Sequence, residues 1–180
     1  MGGASAGAQL SAVLAQRCLS LNIALKLQIL TVPMTDFTIF NDDWSVPSDC
    51  PYPSYIQNAE TVCLPLVRLQ FFLPGFLGNT PPHPPPAANP SILPSEVELS
   101  PIKAAFVKGL APSVVVTSDV DVIRDDGEAY AKKLRGDGVE VLLKRFMGVP
   151  HTFHAMEGAL VEAREYNQLC VDALKKAFNK

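Results

Sequence analysis

The chain has no excess of positive charge: 15 Lys and Arg stand against 18 Asp and Glu, a net charge of −3 at pH 7. Neutralising a run of phosphates takes clustered basic side chains, so nucleic acid is not an expected partner. No apolar run approaches the roughly 20 residues needed to cross a bilayer, and no block of like charge suggests an interaction tail. The first residues lack the charged and uninterrupted apolar regions of a secretory leader, and Ala6 stands where an N-myristoylation signal needs Ser or Thr. Cysteine is sparse. Cys18, Cys50, Cys63 and Cys170 are scattered without C-x-x-C spacing or paired histidines, which predicts reduced, mostly buried thiols, a cytoplasmic location, and neither metal nor other cofactor.

What is present begins at Gly3-Ala4-Ser5-Ala6-Gly7, a G-x-S-x-G sequence of the kind that forms a nucleophile elbow, in which a tight strand-to-helix turn exposes a serine hydroxyl. Small residues suit such a turn, because bulk on either side of the serine would meet neighbouring backbone. Ala8, Leu10, Val13, Leu14, Ala15 and Leu21 follow at helix-like spacing and place a helix N-terminus at Ser5. Only Met1 and Gly2 precede the motif, which predicts an elbow without its entering strand.

With 48% hydrophobic residues in 180, the chain has the apolar material for one globular domain or a part of one. Leu25 to Val32, Ser113 to Ser118 and Glu140 to Phe146 are short β-branched or leucine-rich runs, expected as buried strands. Asp125 to Arg135 carries acids in its first turn and bases in its last, the charge order of a helix, and the Gly136-Asp137-Gly138 turn closes it. Met156 to Ala177 has apolar residues at three- and four-residue spacing, a long amphipathic helix. Strands separated by helices predict an α/β fold with a parallel sheet.

Residues 41–100 interrupt the pattern. Seven prolines between Pro81 and Pro94 exclude regular structure and predict an extended loop, with His83 exposed in it. Before it, Leu64 to Leu77 packs Phe71, Phe72 and Phe76 among leucines, a short apolar helix that reads equally as a lid over a substrate pocket or as core.

Asp121 and His151 fall just past the second and third of these strands, where side chains enter the ligand crevice of a parallel sheet. Ser5, Asp121 and His151 supply a nucleophile, an acid that orients the imidazole, and a base able to take the serine proton near neutral pH. Ser then Asp then His is the chain order found on the α/β-hydrolase fold. Asp119, Asp121, Asp125 and Asp126 lack the Asp/Asn ladder, central Gly and terminal Glu of a calcium loop. Asp125 and Asp126 read better as helix N-terminal acids and Glu128 as an exposed one. His154 is the competing base, and His-x-x-His lacks the further ligands that zinc needs.

GGASAGAQLSA, LQILTVPMTDF, SPIKA and VVVTSDVDVIRDDGEAYAKKLRGDGVEVLLKRFMGVPHTFHAM together resemble the carboxyl-terminal half to two-thirds of an α/β-hydrolase of the hormone-sensitive-lipase-like group, the fold-3 carboxylesterases. The last stretch is the most specific, holding a D-x-[LI]-R-D-[DE]-G-E block and an H-x-F segment at matching spacing. The resemblance implies one hydrolase domain over residues 1–180, amino-terminally truncated, with 41–100 as a cap or loop insertion. It implies Ser5 as nucleophile, Asp121 as acid, His151 as base and the Ala6 N–H as an oxyanion donor. Ala4 and Ala8 depart from the family's common Asp and Gly, and the H-G-G-G loop that supplies further oxyanion donors is missing upstream. The expected function is a serine carboxylesterase acting on small or medium acyl esters, weakened by that loss; the alternative is an inactive fragment or small-molecule-binding remnant. A sheet without its amino-terminal strands is also expected to self-associate through its edge.

Overall fold

A computed structural model describes residues 1–41, 43–77, 95–105 and 107–179, with the side chains of 75–77 also outside the description. The proline-rich loop with His83, and the side chain of Phe76, therefore lie outside the described residues.

Four parallel strands form one sheet in the order β1 (Gly2–Ala4), β2 (Gln28–Thr31), β3 (Ser113–Val120) and β4 (Val141–Pro150). The elbow does have an entering strand. β1 is short, but Gly2 to Ala4 pair with Ile29 to Thr31, and the Met1 amino group donates to Leu27 O at 2.8 Å. Two residues ahead of the motif suffice because the motif's own Gly3 and Ala4 join the ladder.

Helices cover both faces. α1 (Ala6–Ser20) and α5 (Arg124–Gly136) pack on one, where Ala8, Ala12 and Ala15 meet Leu30, Val115, Tyr130 and Leu134. α6 (Val161–Phe178) covers the other through half-buried Tyr166, Leu169 and Ala173 against Leu27, Val114, Val116 and Phe146. Alternation along β2 and β3 sends successive side chains to opposite helices. The buried stripe of α1 is alanine at i, i+4 and i+7, whereas Leu10, Leu14 and Leu21 are exposed. Small side chains let this helix sit close to the sheet, so helical phase and not residue size selects the inner face.

Within 41–100, α2 (Ser54–Gln57), α3 (Leu66–Leu77) and α4 (Glu96–Leu99) are short helices. Trp44, Tyr52, Tyr55, Leu69 and Leu73 form a core with Phe37, Phe40 and Ile123 that continues into the start of α5. α3 is thus core on one side, while Phe71 and Phe72 on its other side are 77% and 52% exposed.

Candidate active site

The register of the sheet carries the site. Ala4 pairs with Thr31 and Thr31 with Val116, while β3 and β4 run further and end together with Val120 opposite Pro150. The residues just past these ends are Ser5, Asp121 and His151, and they meet. His151 Nε2 lies 2.8 Å from Ser5 Oγ, and His151 Nδ1 lies 2.7 Å from Asp121 Oδ2. Asp121 is fully buried and His151 nearly so.

Ser5 has φ 54° and ψ −119°, a conformation costly for a residue with a Cβ. It persists because the turn is tied on both sides. Ser5 N–H donates to Thr31 O at 2.9 Å, and Ser5 O accepts from Ala8 and Gln9 N–H at 2.9 and 3.1 Å, the first bonds of α1. Ala6 opens the first turn of α1, whose leading N–H groups have no intrahelical acceptor, and Ser5 stands at the N-terminal end of that helix. Only one glycine of the motif is sterically demanded. A Cβ on Gly3 would lie 2.4 Å from Gly7 C and O, whereas a Cβ on Gly7 meets nothing within 4 Å among the described residues.

The Asp121 loop is held from several directions. Asp121 Oδ1 accepts from Ile123 N–H at 3.2 Å and Oδ2 from the Ser118 hydroxyl at 3.2 Å. From the 41–100 stretch, Asn58 Nδ2 donates to Asp119 O and Asp121 O, the Thr61 hydroxyl to Val120 O, and the Ser54 hydroxyl to Val122 O. Nothing in the sequence pointed to this strap, because its two sides lie 59 to 68 residues apart and each is an ordinary polar residue.

The four acids of the 119–126 segment do not converge on one point, although Asp119 and Asp125 share Arg124. Asp119 lies 3.7 and 3.9 Å from Arg124 and Arg145, Asp125 binds Arg124 and Ser54 N–H, and Asp126 is fully buried against Thr35 and Tyr55. One expectation needs correction here. Glu128 is not an exposed helix acid: Arg145 grips it bidentately at 2.7 Å and the Thr117 hydroxyl donates to it. Asp125 and Asp126 do lie in the first turn of α5, and Asp126 is in addition fully buried there. The four cysteines are free and only partly buried. His154 packs against Phe153 and Tyr166, with ring centroids 6.0 and 5.9 Å away, and burial together with the neighbouring His151 holds its imidazole below the usual histidine range.

Beside Ser5 and Ala6 opens a cavity of about 660 Å³, walled by Met34, Phe37, Leu69, Leu73 and Ile123, with Phe71 and Phe72 also lining it. Its size falls within the range of small-molecule pockets. Met34, Phe37 and Ile123 carried no signal in the sequence, since loop residues lack periodicity.

A family model described as alpha/beta hydrolase fold matches residues 1–155. The chain belongs to that family. Over 98% of its length it is 27% identical to the carboxylesterase NlhH of Mycobacterium tuberculosis, of which it covers 50%. It is 26% identical over 97% of its length to an ethyl acetate hydrolase of Pseudomonas putida, covering 48%. Among solved structures, it superimposes on the Pyrobaculum calidifontis esterase with a TM-score of 0.74 at 28% identity, covering 98% of this chain and 52% of that one. The chain spans about half the length of the curated relatives it matches. Among its described residues, no helix is long and apolar enough to cross a membrane.

Proposed function

We propose that this hydrolase-fold chain is a serine carboxylic-ester hydrolase acting on small or medium acyl esters, with Ser5 as nucleophile, His151 as base and Asp121 as the acid that orients it. The supporting observation is the hydrogen-bonded line from Ser5 Oγ through both ring nitrogens of His151 to Asp121 Oδ2. With Nδ1–H given to the Asp121 carboxylate, Nε2 is left to accept the serine proton as Oγ attacks the ester carbonyl. The Ala6 N–H then faces the developing oxyanion, and the acyl or alcohol part lies against the apolar wall that includes Phe71 and Phe72. Residues 1–180 act as one domain in this reading, with 41–100 an insertion that walls the pocket and straps the acid loop. In this reading the Ala6 N–H is the oxyanion donor among the described residues, and with it alone turnover is weak, since each donor is worth about 2.7–4 kcal/mol in the transition state.

The test is labelling with an active-site-directed fluorophosphonate, the adduct located by mass spectrometry. The adduct is expected on Ser5 and absent in Ser5→Ala. His151→Ala suppresses it far more than His154→Ala does, because His154 does not reach the serine. An adduct on Ser118 would defeat the assignment, and the reverse ranking of the histidines would transfer the base role.

A further inference from the structure

The carboxylate of Asp121 is held at both oxygens, and one holder is a second serine. Oδ1 takes the Ile123 N–H, while Oδ2 takes both His151 Nδ1 at 2.7 Å and the Ser118 hydroxyl at 3.2 Å. Ser118 has no exposed surface. In a regular strand, residues three apart point to opposite faces. The register of β3 against β4 shifts between Ser118 and Val120, and Asp121 lies just past the strand end, so the Ser118 hydroxyl can meet Asp121 Oδ2. Torsion about the last bond of an aspartate side chain is broad, and a single backbone bond at Oδ1 restricts it only in part.

We propose that Ser118 is a positioning residue, its hydroxyl fixing Asp121 Oδ2 in line with the Nδ1–H of His151. This rests on the reading of Ser5, His151 and Asp121 as the reacting relay, and it adds a residue that touches neither substrate nor nucleophile. Ser118 bears on the reaction through the carboxylate alone, so its loss lowers the rate of bond formation at Ser5 without changing what the cavity binds.

The test uses the full chain and two independent readouts. One is fluorophosphonate labelling of Ser5, separated into reversible affinity and maximal rate. The other is the proton NMR signal of the His151 Nδ1–H, assigned by its loss in His151→Ala. Ser118→Ala is expected to lower the maximal labelling rate about tenfold, the lower range for a hydrogen bond to a charged group, with affinity unchanged and the His151 signal displaced. Ser118→Thr, which keeps the hydroxyl, returns the signal to its parental position. A Ser118→Ala chain with the parental rate and signal overturns the proposal; so does a slower chain whose signal has not moved, because that is a packing loss. If the parent is never labelled but its His151 signal still moves in Ser118→Ala, the hydrolytic reading fails and the positioning of Asp121 stands.

Discussion

Asp126 shows how much a single buried carboxyl can govern. Its Oδ1 accepts from Thr35 N–H at 2.9 Å and from the Thr35 hydroxyl, and its Oδ2 accepts from the Tyr55 hydroxyl at 3.2 Å and Asp36 N–H at 3.4 Å. Burial pushes this carboxyl up to about 7, with the nearby Asp36 charge adding to the rise against the Thr35 bonds. An unfolded aspartate titrates near ~3.9. Between about pH 4 and 7 the native state therefore holds a proton that the unfolded chain has lost. The resulting stability is fully present below pH 4 and is lost as pH rises through 7, by up to about 4 kcal/mol for a three-unit gap. The urea midpoint should fall between pH 5 and pH 8, and fall less in Asp126→Asn, which cannot titrate. Parallel pH dependence in the two chains would place the titration on another group.

At the scale of the element, the strand–elbow–helix unit from β1 to α1 is asymmetric. Gly3 lies under the backbone of Gly7, with no room for a methyl group, whereas Gly7 opens onto free space among the described residues and sits in a helix. Gly3→Ala must push apart the strand and the first helical turn, an overpacking that costs about 1–3 kcal/mol. Gly7→Ala should instead stabilise by roughly 0.5–1 kcal/mol, because alanine loses less backbone freedom in a helix. Urea unfolding of the two single variants checks the contrast; equal destabilisation would mean that the space beside Gly7 is filled.

At the scale of the molecule, β1 is an edge strand among the described residues. Leu10 and Leu14 on the outer side of α1, and Val67, Phe71 and Phe72 on α3, expose apolar surface. We propose that the chain self-associates through these surfaces. We further propose that joining it to the amino-terminal half of a related carboxylesterase covers the sheet edge and supplies oxyanion donors together. The fusion should bind less hydrophobic dye than the chain alone. It should also hydrolyse a short-chain p-nitrophenyl ester at least ~10²-fold faster, the contribution of one such donor, and the gain should vanish with Ser5→Ala. A folded fusion that stays inactive would favour a binding remnant over an enzyme.

The α/β class, the parallel sheet, the long carboxyl-terminal helix and the Ser5, Asp121 and His151 candidates were all legible in the sequence. Each depends on local pattern: apolar runs of strand length, charge order along a helix, and a short motif whose chain order carries meaning. Tertiary structure alone decided the rest. Asp125 and Asp126 are chemically identical neighbours, yet one binds Arg124 at the surface and the other is buried beneath Thr35, because helical phase turns them to different surroundings. Alanines and not leucines form the inner stripe of α1 because helical phase puts positions 8, 12 and 15 on the side that meets the sheet. The strap from Ser54, Asn58 and Thr61 to the acid loop, and the hydroxyl of Ser118 on Asp121, exist only once segments distant in sequence, or a strand that loses its regular alternation, bring donor to acceptor. Local pattern encodes the backbone's choices residue by residue, whereas burial and hydrogen-bond partnership belong to the packed chain.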